Sequence, residues 1–234
     1  MLIKSFPAGP WQTNCYVVST GVGNECLIID PGMGAATGVR EIIAENHLKP
    51  IAVLVTHGHI DHMWSVFPVA TGYDIPAVVH SKDRFLLSDP GLAVTKETRE
   101  ALPAMLGEGE FFAEPEEVLE VHDRLSLSLA GIDITVLHAP GHTQGSVLYN
   151  MHLAPEDSFA QTVFTGDVLF AGAIGRTDLP GGSASDMATS LRDVVLQLPD
   201  NSLVFPGHGP SSNMSVERET NEYLIRVAQG MSPV

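Results

Sequence analysis

Residues 56–62 read Thr56-His57-Gly58-His59-Ile60-Asp61-His62, and this stretch is the most informative part of the chain. It places three imidazoles and one carboxylate directly after the apolar run at residues 51–55, which predicts a buried strand. The polar cluster therefore lies at the carboxyl end of a strand, where open α/β sheets build their binding sites. Imidazole nitrogen and carboxylate oxygen are ligands of zinc, iron and manganese. We interpret the stretch as a metal site and expect it to hold two ions.

The spacing within this stretch favours two adjacent ligand groups. One glycine separates His57 from His59, so an extended backbone can turn both rings toward one point. Asp61 and His62 follow further round the turn, where they can reach a second point nearby. A single loop histidine is usually a surface residue or a satisfied hydrogen-bonding group. Four titratable groups crowded into seven positions would be costly to bury without a partner, so the cluster favours metal binding.

The composition limits the class of protein. The chain has 234 residues, of which 44% are hydrophobic, and this fits one α/β domain spanning residues 1–234. Twelve basic and 28 acidic residues give a formal net charge of −16, which repels the phosphate backbone of nucleic acids. Cys15 and Cys26 form no CxxC pair, so we expect buried, reduced thiols on adjacent strands. No segment resembles a signal peptide or a membrane span, which predicts a cytoplasmic protein without a membrane partner.

The apolar pattern predicts two sets of strands, each followed by helices. The first set covers residues 2–6, 14–18, 26–30, 51–55 and 76–80, with a hairpin turn at 21–24 and a helix at 39–46. The second set covers residues 132–137, 146–150, 162–165 and 202–205, with helices at 185–198 and 216–227. Residues 81–120 follow neither period, and we expect helices and loops that lean over the site as a flap. Two sheets packed face to face, with helices outside, are the predicted architecture.

Three further ligand candidates, His142, Asp167 and His208, each follow a predicted strand and lie in a glycine-rich turn. A glycine precedes each of the three, as expected where the backbone must approach a crowded centre. One Gly-His pair would be weak evidence. Three such turns at successive strand ends, added to residues 56–62, predict a centre whose ligands converge from distant parts of the chain.

The His-x-His-x-Asp-His core at residues 57–62, with the three later positions, resembles the metallo-β-lactamase superfamily from Asp30 to His208. The resemblance implies an α/β fold, the four-layer αββα sandwich, and a centre for two divalent ions. Zinc is the expected metal, with iron and manganese as alternatives. The implied ligands of the first metal are His57, His59 and His142, those of the second are Asp61, His62 and His208, and Asp167 bridges the two.

Asp30 matches the early aspartate of the superfamily, which supports the cluster through hydrogen bonds and does not bind metal. A turn-forming Asp-Pro-Gly is the alternative interpretation of this residue. His138 lies four residues before His142 but lacks the preceding glycine, so we place it outside the site. The other histidines have no neighbouring ligands and are predicted to be structural or exposed: His47, His80, His122 and His152.

Two metals about 3.5–4 Å apart share a water and lower its pKa toward neutrality, which yields a hydroxide nucleophile. One ion also polarises the scissile carbonyl. Asp61 is the expected catalytic side chain, which ligates the second ion and orients the nucleophile or receives its proton. Since no protein nucleophile is required, Ser146, Ser183 and Cys15 receive no covalent role.

Residues 166–178 resemble the glyoxalase II branch, whose members cleave thioesters such as S-lactoylglutathione to a thiol and a hydroxy acid. This predicts a small-molecule thioester substrate and places Arg176 against a carboxylate or peptide of the thiol. Bracing of the loop by an Arg176–Asp178 pair is the alternative. Glyoxalase II also carries a helical C-terminal domain, whereas only a short segment follows His208, so we expect a reduced thiol-recognition surface. Another low-molecular-weight thiol, or a broader specificity for thioesters or esters, is the alternative to glutathione.

Three other functions compete with the hydrolase hypothesis. Persulfide dioxygenases carry a similar Gly-Arg-Thr-Asp stretch and use one iron and oxygen, and lactonases attack a cyclic ester. A non-catalytic scaffold that binds metal or a partner protein is the third. Every expected ligand position is filled, which favours an enzyme. The acidic charge and the lack of a basic patch disfavour the nucleases of the superfamily.

Overall fold

Two six-stranded sheets form the centre of the computed structural model, which describes residues 1–105, 111–154 and 158–233. The first sheet contains, in spatial and chain order, β1 (Leu2–Ala8), β2 (Thr13–Ser19), β3 (Glu25–Ile29), β4 (Lys49–Leu54), β5 (Ala77–His80) and β6 (Val118–Val121). Strands β1 to β3 pair antiparallel, and β3 to β6 pair parallel. The hairpin predicted at residues 21–24 joins β2 to β3 and is confirmed.

The second sheet begins with β7 (Ser126–Leu129), β8 (Ile132–His138), β9 (Val147–Met151) and β10 (Gln161–Gly166). A small hairpin of β11 (Leu169–Phe170) and β12 (Ala173–Ile174) follows, before the chain returns to the sheet with β13 (Ser202–Pro206) and β14 (Ser212–Asn213). The spatial order is β14-β13-β10-β9-β8-β7. The β10–β13 pair is parallel and the other pairs are antiparallel.

Seven α-helices accompany these strands in the described ranges. They are α1 (Ala35–Glu45), α2 (Ile60–Met63), α3 (Val66–Tyr73), α4 (Lys96–Met105), α5 (Ala184–Asp193), α6 (Met214–Thr220) and α7 (Glu222–Ala228). Helices α1 and α3 pack on the outer face of the first sheet, and α5, α6 and α7 pack on the outer face of the second.

Strand β4 shows why both faces of the first sheet are covered. Its alternate residues Ala52 and Leu54 point into the space between the sheets, whereas Val53 points toward the outer helices. Both faces are buried, so the strand is a nearly continuous apolar run. From the second sheet, Tyr149 and Phe164 fill the same space between the sheets. These layers form the predicted four-layer αββα sandwich, which is confirmed.

Some elements differ from the prediction. Strand β6 lies in the stretch assigned to helices and loops, and β7 was not predicted at all. Both are short strands at the edges of their sheets, and half of their residues are exposed, so the hydrophobic signal is weak. The helix predicted at residues 216–227 is divided at Asn221 into α6 and α7. The helix predicted at 185–198 ends at Asp193, and a short 3-10 turn follows it.

The predicted flap at residues 81–120 contains two 3-10 turns, Arg84–Leu87 and Pro90–Ala93, followed by α4. Residues 106–110 of this flap lie outside the described residues. Cys15 and Cys26 are free, buried thiols on the adjacent strands β2 and β3, as predicted. Burial raises the pKa of Cys26 to about 12, so this thiol is unreactive at neutral pH. None of the described helices is long and apolar enough to cross a bilayer.

Candidate metal centre

Four loops meet at one edge of the sandwich, at the carboxyl ends of β4, β8, β10 and β13. These loops bring together all seven residues predicted as metal ligands, namely His57, His59, Asp61, His62, His142, Asp167 and His208. The two ends of this set are separated by about two thirds of the chain, so convergence is a property of the fold. The seven side chains form three overlapping sets, in each of which the potential ligand atoms lie within 4.8 Å of one another. Two of these sets are described below as the first and second groups, and the third, of His57, His62 and Asp167, links them.

The first group consists of His57, His59 and His142. All three side chains are almost completely buried, and His59 Nδ1 lies 2.7 Å from His142 Nε2. The buried Nε2 of His57 has no hydrogen-bond partner among the described residues. An unpaired buried nitrogen is costly, and a cation at the point where the three rings meet would satisfy it.

The second group consists of Asp61, His62 and His208. His208 Nε2 lies 3.2 Å from Asp61 Oδ2 and 3.3 Å from His62 Nε2, and His62 Nε2 lies 3.4 Å from Asp61 Oδ2. Two ligands bound about 2.0–2.1 Å from one tetrahedral ion lie about 3.4 Å apart. The spacing of the second group therefore fits a single ion.

Asp167 lies between the two groups. Its Oδ1 is 3.2 Å from His62 Nε2, and its Oδ2 is 3.5 Å from both His142 Nε2 and His208 Nε2. Oδ1 is buried and makes no hydrogen bond within the described part of the chain. This carboxylate faces nitrogens of both groups, which is the placement that a bridging ligand requires.

Hydrogen bonds on the outer side of the ligands orient several of them. His62 Nδ1 donates to Asp30 Oδ2 over 2.9 Å, and Asp30 also accepts hydrogen bonds from the backbone N–H and the hydroxyl of Thr56. His142 Nδ1 donates to the backbone oxygen of Arg176 over 2.8 Å. Such contacts fix the tautomer of each ring and point the other nitrogen inward. Asp30 thus makes the supporting contacts that the resemblance implies for it.

Thr13 supports the site in a way that the sequence does not indicate. Its hydroxyl donates to Asp61 Oδ2 over 2.9 Å, although the two residues are 48 positions apart. Thr13 also forms an isolated β-bridge with His208. No local pattern distinguishes this threonine from others, so only the packing of β2 against the site identifies it.

The glycines beside the ligands occupy places where a side chain does not fit. A Cβ on Gly207 would lie 2.2 Å from Asp167 Oδ1, and one on Gly166 would lie 2.4 Å from Thr56 Oγ1. Gly166 also has a φ of +49°, which disfavours other residues. Both contacts agree with the expectation that the backbone approaches a crowded centre at these turns.

The charge states of the side chains differ between the ligands. Burial lowers the pKa of His59 to about 3 and that of His57 well below its usual range, so both rings are neutral at pH 7. Burial raises the pKa of Asp61, but His62 and His208 lower it by more, so the net pKa is well below its ordinary value. Neutral imidazole and ionised carboxylate are the forms that bind divalent metals. Burial lowers the pKa of His62 and of His208, but Asp61 and Asp167 raise both by more, so these two rings release a proton when a metal binds.

The ligands form the floor of an open cleft of about 270 Å³. The cleft is also lined by Trp11, Ile60, Val94, Thr95, Thr98, Arg176 and Leu179. Val94 to Thr98 belong to the predicted flap, which therefore does lean over the site. Arg176 is one of the lining residues, and its guanidinium forms two hydrogen bonds with Asp178, of 2.7 and 2.8 Å. The bracing pair considered from the sequence is present, and the role of Arg176 in substrate binding stays a prediction.

The remaining histidines lie outside these groups. His138 stacks on His80 with ring centroids 4.1 Å apart, and its Nε2 donates to the backbone oxygen of Gln144. His80 is buried, and His122 and His152 are exposed. None of these rings belongs to a potential ligand group in the ranges that the structure describes.

The family model of the metallo-β-lactamase superfamily matches residues 8–208. This chain belongs to the metallo-β-lactamase superfamily. An uncharacterised protein of Mycobacterium tuberculosis is 44% identical over 225 residues, 96% of this chain and 98% of that protein. The probable metallo-hydrolase YqgX of Bacillus subtilis is 35% identical over 221 residues, 94% of this chain and 96% of YqgX. The hydroxyacylglutathione hydrolase GloC of Haemophilus influenzae is 31% identical over 225 residues, 96% of this chain and 98% of GloC.

Two crystal structures share both fold and sequence with this superfamily member. BLEG-1, described as a B3 metallo-β-lactamase, has a TM-score of 0.80 and 34% identity, with 95% of this chain and 99% of that chain covered. TTHA1623, determined in a di-iron-bound form, has a TM-score of 0.74 and 32% identity, with 95% and 100% covered. The predicted superfamily and fold are therefore confirmed.

Proposed function

We propose that this protein is a hydrolase that uses two divalent metal ions to cleave thioesters of the hydroxyacyl-thiol type, such as S-lactoylglutathione. The observation that carries the hydrolase proposal is the placement of Asp167 between two complete ligand groups at the floor of an open cleft. Similarity to the hydroxyacylglutathione hydrolase GloC over nearly the whole of both chains supports the thioester as substrate.

The donor set fits two ions. Five imidazoles and two carboxylates converge, and zinc, iron and manganese all accept these ligands. A pair of such ions lowers the pKa of a water toward neutrality and polarises a carbonyl group. We propose zinc as the metal, with iron as the alternative because TTHA1623 was determined in a di-iron-bound form.

Asp61 is placed to handle the nucleophile. Thr13 holds its Oδ2, so the carboxylate keeps one orientation. The side chain of Asp61 is 16% exposed and lines the cleft, so it can orient a water and receive its proton.

The walls of the cleft recognise the rest of the substrate. Trp11, Val94 and Leu179 present apolar surface that excludes water from the reacting carbonyl. Arg176 is the cation among the lining residues, and its guanidinium can bind a carboxylate or peptide oxygen of the thiol. The thiol lies toward Arg176, and the acyl group lies over the ligands.

Metal quantification on the purified protein, combined with a substrate panel, tests the proposal. The panel contains S-lactoylglutathione, an acyl-homoserine lactone, a chromogenic β-lactam and glutathione persulfide with an oxygen electrode. We expect two ions per chain and the highest kcat/KM for the lactoyl thioester. One iron per chain with oxygen uptake on the persulfide would contradict hydrolysis. Faster turnover of the lactone or of the β-lactam would contradict the thioester as substrate.

A further inference from the structure

A buried carboxylate that is not itself a predicted ligand joins two of the loops that carry the predicted metal ligands. Asp83 follows β5 and is 1% exposed. Its Oδ2 accepts hydrogen bonds from the backbone N–H of Gly58 over 2.8 Å and from the hydroxyl of Thr143 over 2.6 Å. Its Oδ1 accepts one from the backbone N–H of Gly145 over 2.7 Å. Gly58 lies between two ligands of the first group, and Thr143 directly follows the third.

The surroundings of Asp83 contain donors and no ion-pair partner in the described part of the chain. The adjacent Arg84 is engaged instead by Glu114 and Glu120. A buried carboxylate without a cation is costly unless several hydrogen bonds stabilise it. Here three donors from two loops supply them, so the position of each loop depends on the charge between them.

The contact between Asp83 and Gly58 has a particular consequence for the ring of His59. His62 and His142 each donate their outer N–H to an oxygen, over 2.9 and 2.8 Å, which fixes their rings. The outer Nε2 of His59 is buried and has no such partner among the residues described. Its ring is therefore positioned through its backbone, and the N–H of Gly58, one residue earlier, is held by Asp83.

We propose that Asp83 is a positioning residue for the first metal group. By holding both loops on one carboxylate, it sets the separation of His59 and His142. Their facing nitrogens lie 2.7 Å apart, closer than the about 3.4 Å between two ligands of one tetrahedral ion, so the two rings must move apart to admit the ion. The inference rests on the metal centre of the proposed function and is independent of the thioester as substrate. Loss of Asp83 weakens binding of the ion at the first group and has little effect on the ion at the second.

The chemistry of the contacts supplies graded variants. In Asp83→Asn, one oxygen becomes an NH₂ group, which must then face the backbone N–H of either Gly58 or Gly145, so at least one contact is lost. Thr143→Val keeps the volume of the side chain and removes its hydroxyl donor, while Thr143→Ser keeps that donor. We expect the metal affinity to fall in the order wild type, Thr143→Ser, Thr143→Val and Asp83→Asn.

Cobalt(II) titration of metal-free protein, followed by visible absorption, measures each group separately. The His208→Ala background retains the first group, and the His59→Ala background removes it. We expect Asp83→Asn to weaken cobalt binding about 10–100-fold in the His208→Ala background. In the His59→Ala background, we expect Asp83→Asn to change the cobalt affinity of the second group by less than about threefold. The reason is that Gly58 is the only contact of Asp83 with a loop of the second group in the described part of the chain.

Glu217→Gln is the matched control. Glu217 is also 1% exposed, and it accepts hydrogen bonds from Gly172, Ser212 and Asn221, none of which lies in the loops that Asp83 joins. We expect this variant to lose stability while the first group keeps its cobalt affinity and spectrum.

If Asp83→Asn leaves the cobalt affinity and the spectrum of the His208→Ala background unchanged, the inference is overturned and Asp83 is a structural residue. If Asp83→Asn does not fold, Thr143→Val decides, since unchanged affinity there contradicts the proposal equally. Wild-type protein that binds two cobalt ions but cleaves no thioester would contradict the substrate alone. Wild-type protein that binds no cobalt would remove the centre and this inference with it.

Discussion

At the scale of single residues, the centre is defined by polar atoms that the protein leaves without partners. His57 Nε2 and Asp167 Oδ1 are both buried and make no hydrogen bond in the described ranges. Most buried polar atoms are paired, so these two unpaired atoms, which belong to residues of one potential ligand group, favour a bound cation. Asp167 is the more informative of the two, because its carboxylate faces nitrogens of both groups.

Asp167→Ala should lower the metal content from two ions toward one and abolish hydrolysis. The carboxylate is the link between both groups, so its loss should cost more than the ~10–100-fold that removal of an outer partner costs. The fold should be kept, since the variant removes a buried charge and breaks no strand. Metal analysis, turnover and circular dichroism check this, with the exposed Asp133→Ala as control. Two ions per chain in Asp167→Ala would refute the bridge.

Arg176 has two competing roles that kinetics can separate. If its fork binds the thiol, Arg176→Ala should raise KM by about tenfold with little change in kcat, as expected for loss of one charge-assisted contact. Asp178→Ala frees the same fork and should leave KM unchanged or lower it. Steady-state kinetics on the lactoyl thioester measures both. Equal KM values for Arg176→Ala and wild type would assign Arg176 to bracing the loop.

At the scale of elements, the break between α6 and α7 connects the helical layer to the site. Asn221 is fully buried, and its Oδ1 accepts the backbone N–H groups of Tyr223 and Leu224 at the start of α7. Its Nδ2 donates to the backbone oxygen of Ala173 in β12 and to Glu217. One side chain thus caps a helix and anchors the hairpin that leads to the Arg176 loop.

Asn221→Ala should destabilise the protein by about 2–4 kcal/mol, of which the cap accounts for ~1 and the buried groups left unpaired for ~1–3. Asn213→Ala is the control, because Asn213 caps α6 through a hydrogen bond to the N–H of Val216 and is only half-buried. It should cost ~1 kcal/mol. Urea unfolding measures both. Equal losses for the two variants would show that the contacts to the hairpin contribute nothing.

At the scale of the whole molecule, the centre joins the two halves of the sandwich. Its ligands come from the loop after β4 in the first sheet and from the loops after β8, β10 and β13 in the second. Ions bound there crosslink both sheets in the native state and have no equivalent site in the unfolded chain. Metal binding is therefore coupled to the stability of the entire fold.

Removal of the metal by a chelator should lower the melting temperature. At a free metal concentration about 1,000 times the Kd, binding of one ion stabilises the native state by about 4.1 kcal/mol. For a chain of this size, that corresponds to about 8–16 °C. Differential scanning calorimetry with and without chelator measures the shift, and returning zinc should reverse it. Asp167→Ala should show a smaller shift, and identical melting of the loaded and chelated wild type would argue against a crosslinking centre.

The strands that deliver the ligands could be predicted from sequence because each has at least one buried face. Strand β4 is buried over its second half and the strand before Asp167 throughout, and the strands before His142 and His208 alternate in burial, so all four carry a clear strand pattern that ends in a glycine-rich turn. Strands β6 and β7 escaped prediction because they are short edge strands. The break at Asn221 escaped because the apolar period continues through it, and the contact that favours the break lies in β12.

The chain by itself therefore predicted the superfamily and the candidate metal ligands, because ligand type and spacing are local properties. Only the tertiary structure decided how those residues are held. Thr13 reaches Asp61 across 48 positions, and Asp83 reaches Gly145 across 62. Thr13 and Gly145 are ordinary residues in the sequence. They matter because the packing of the two sheets places each of them as a hydrogen-bond donor beside a carboxylate.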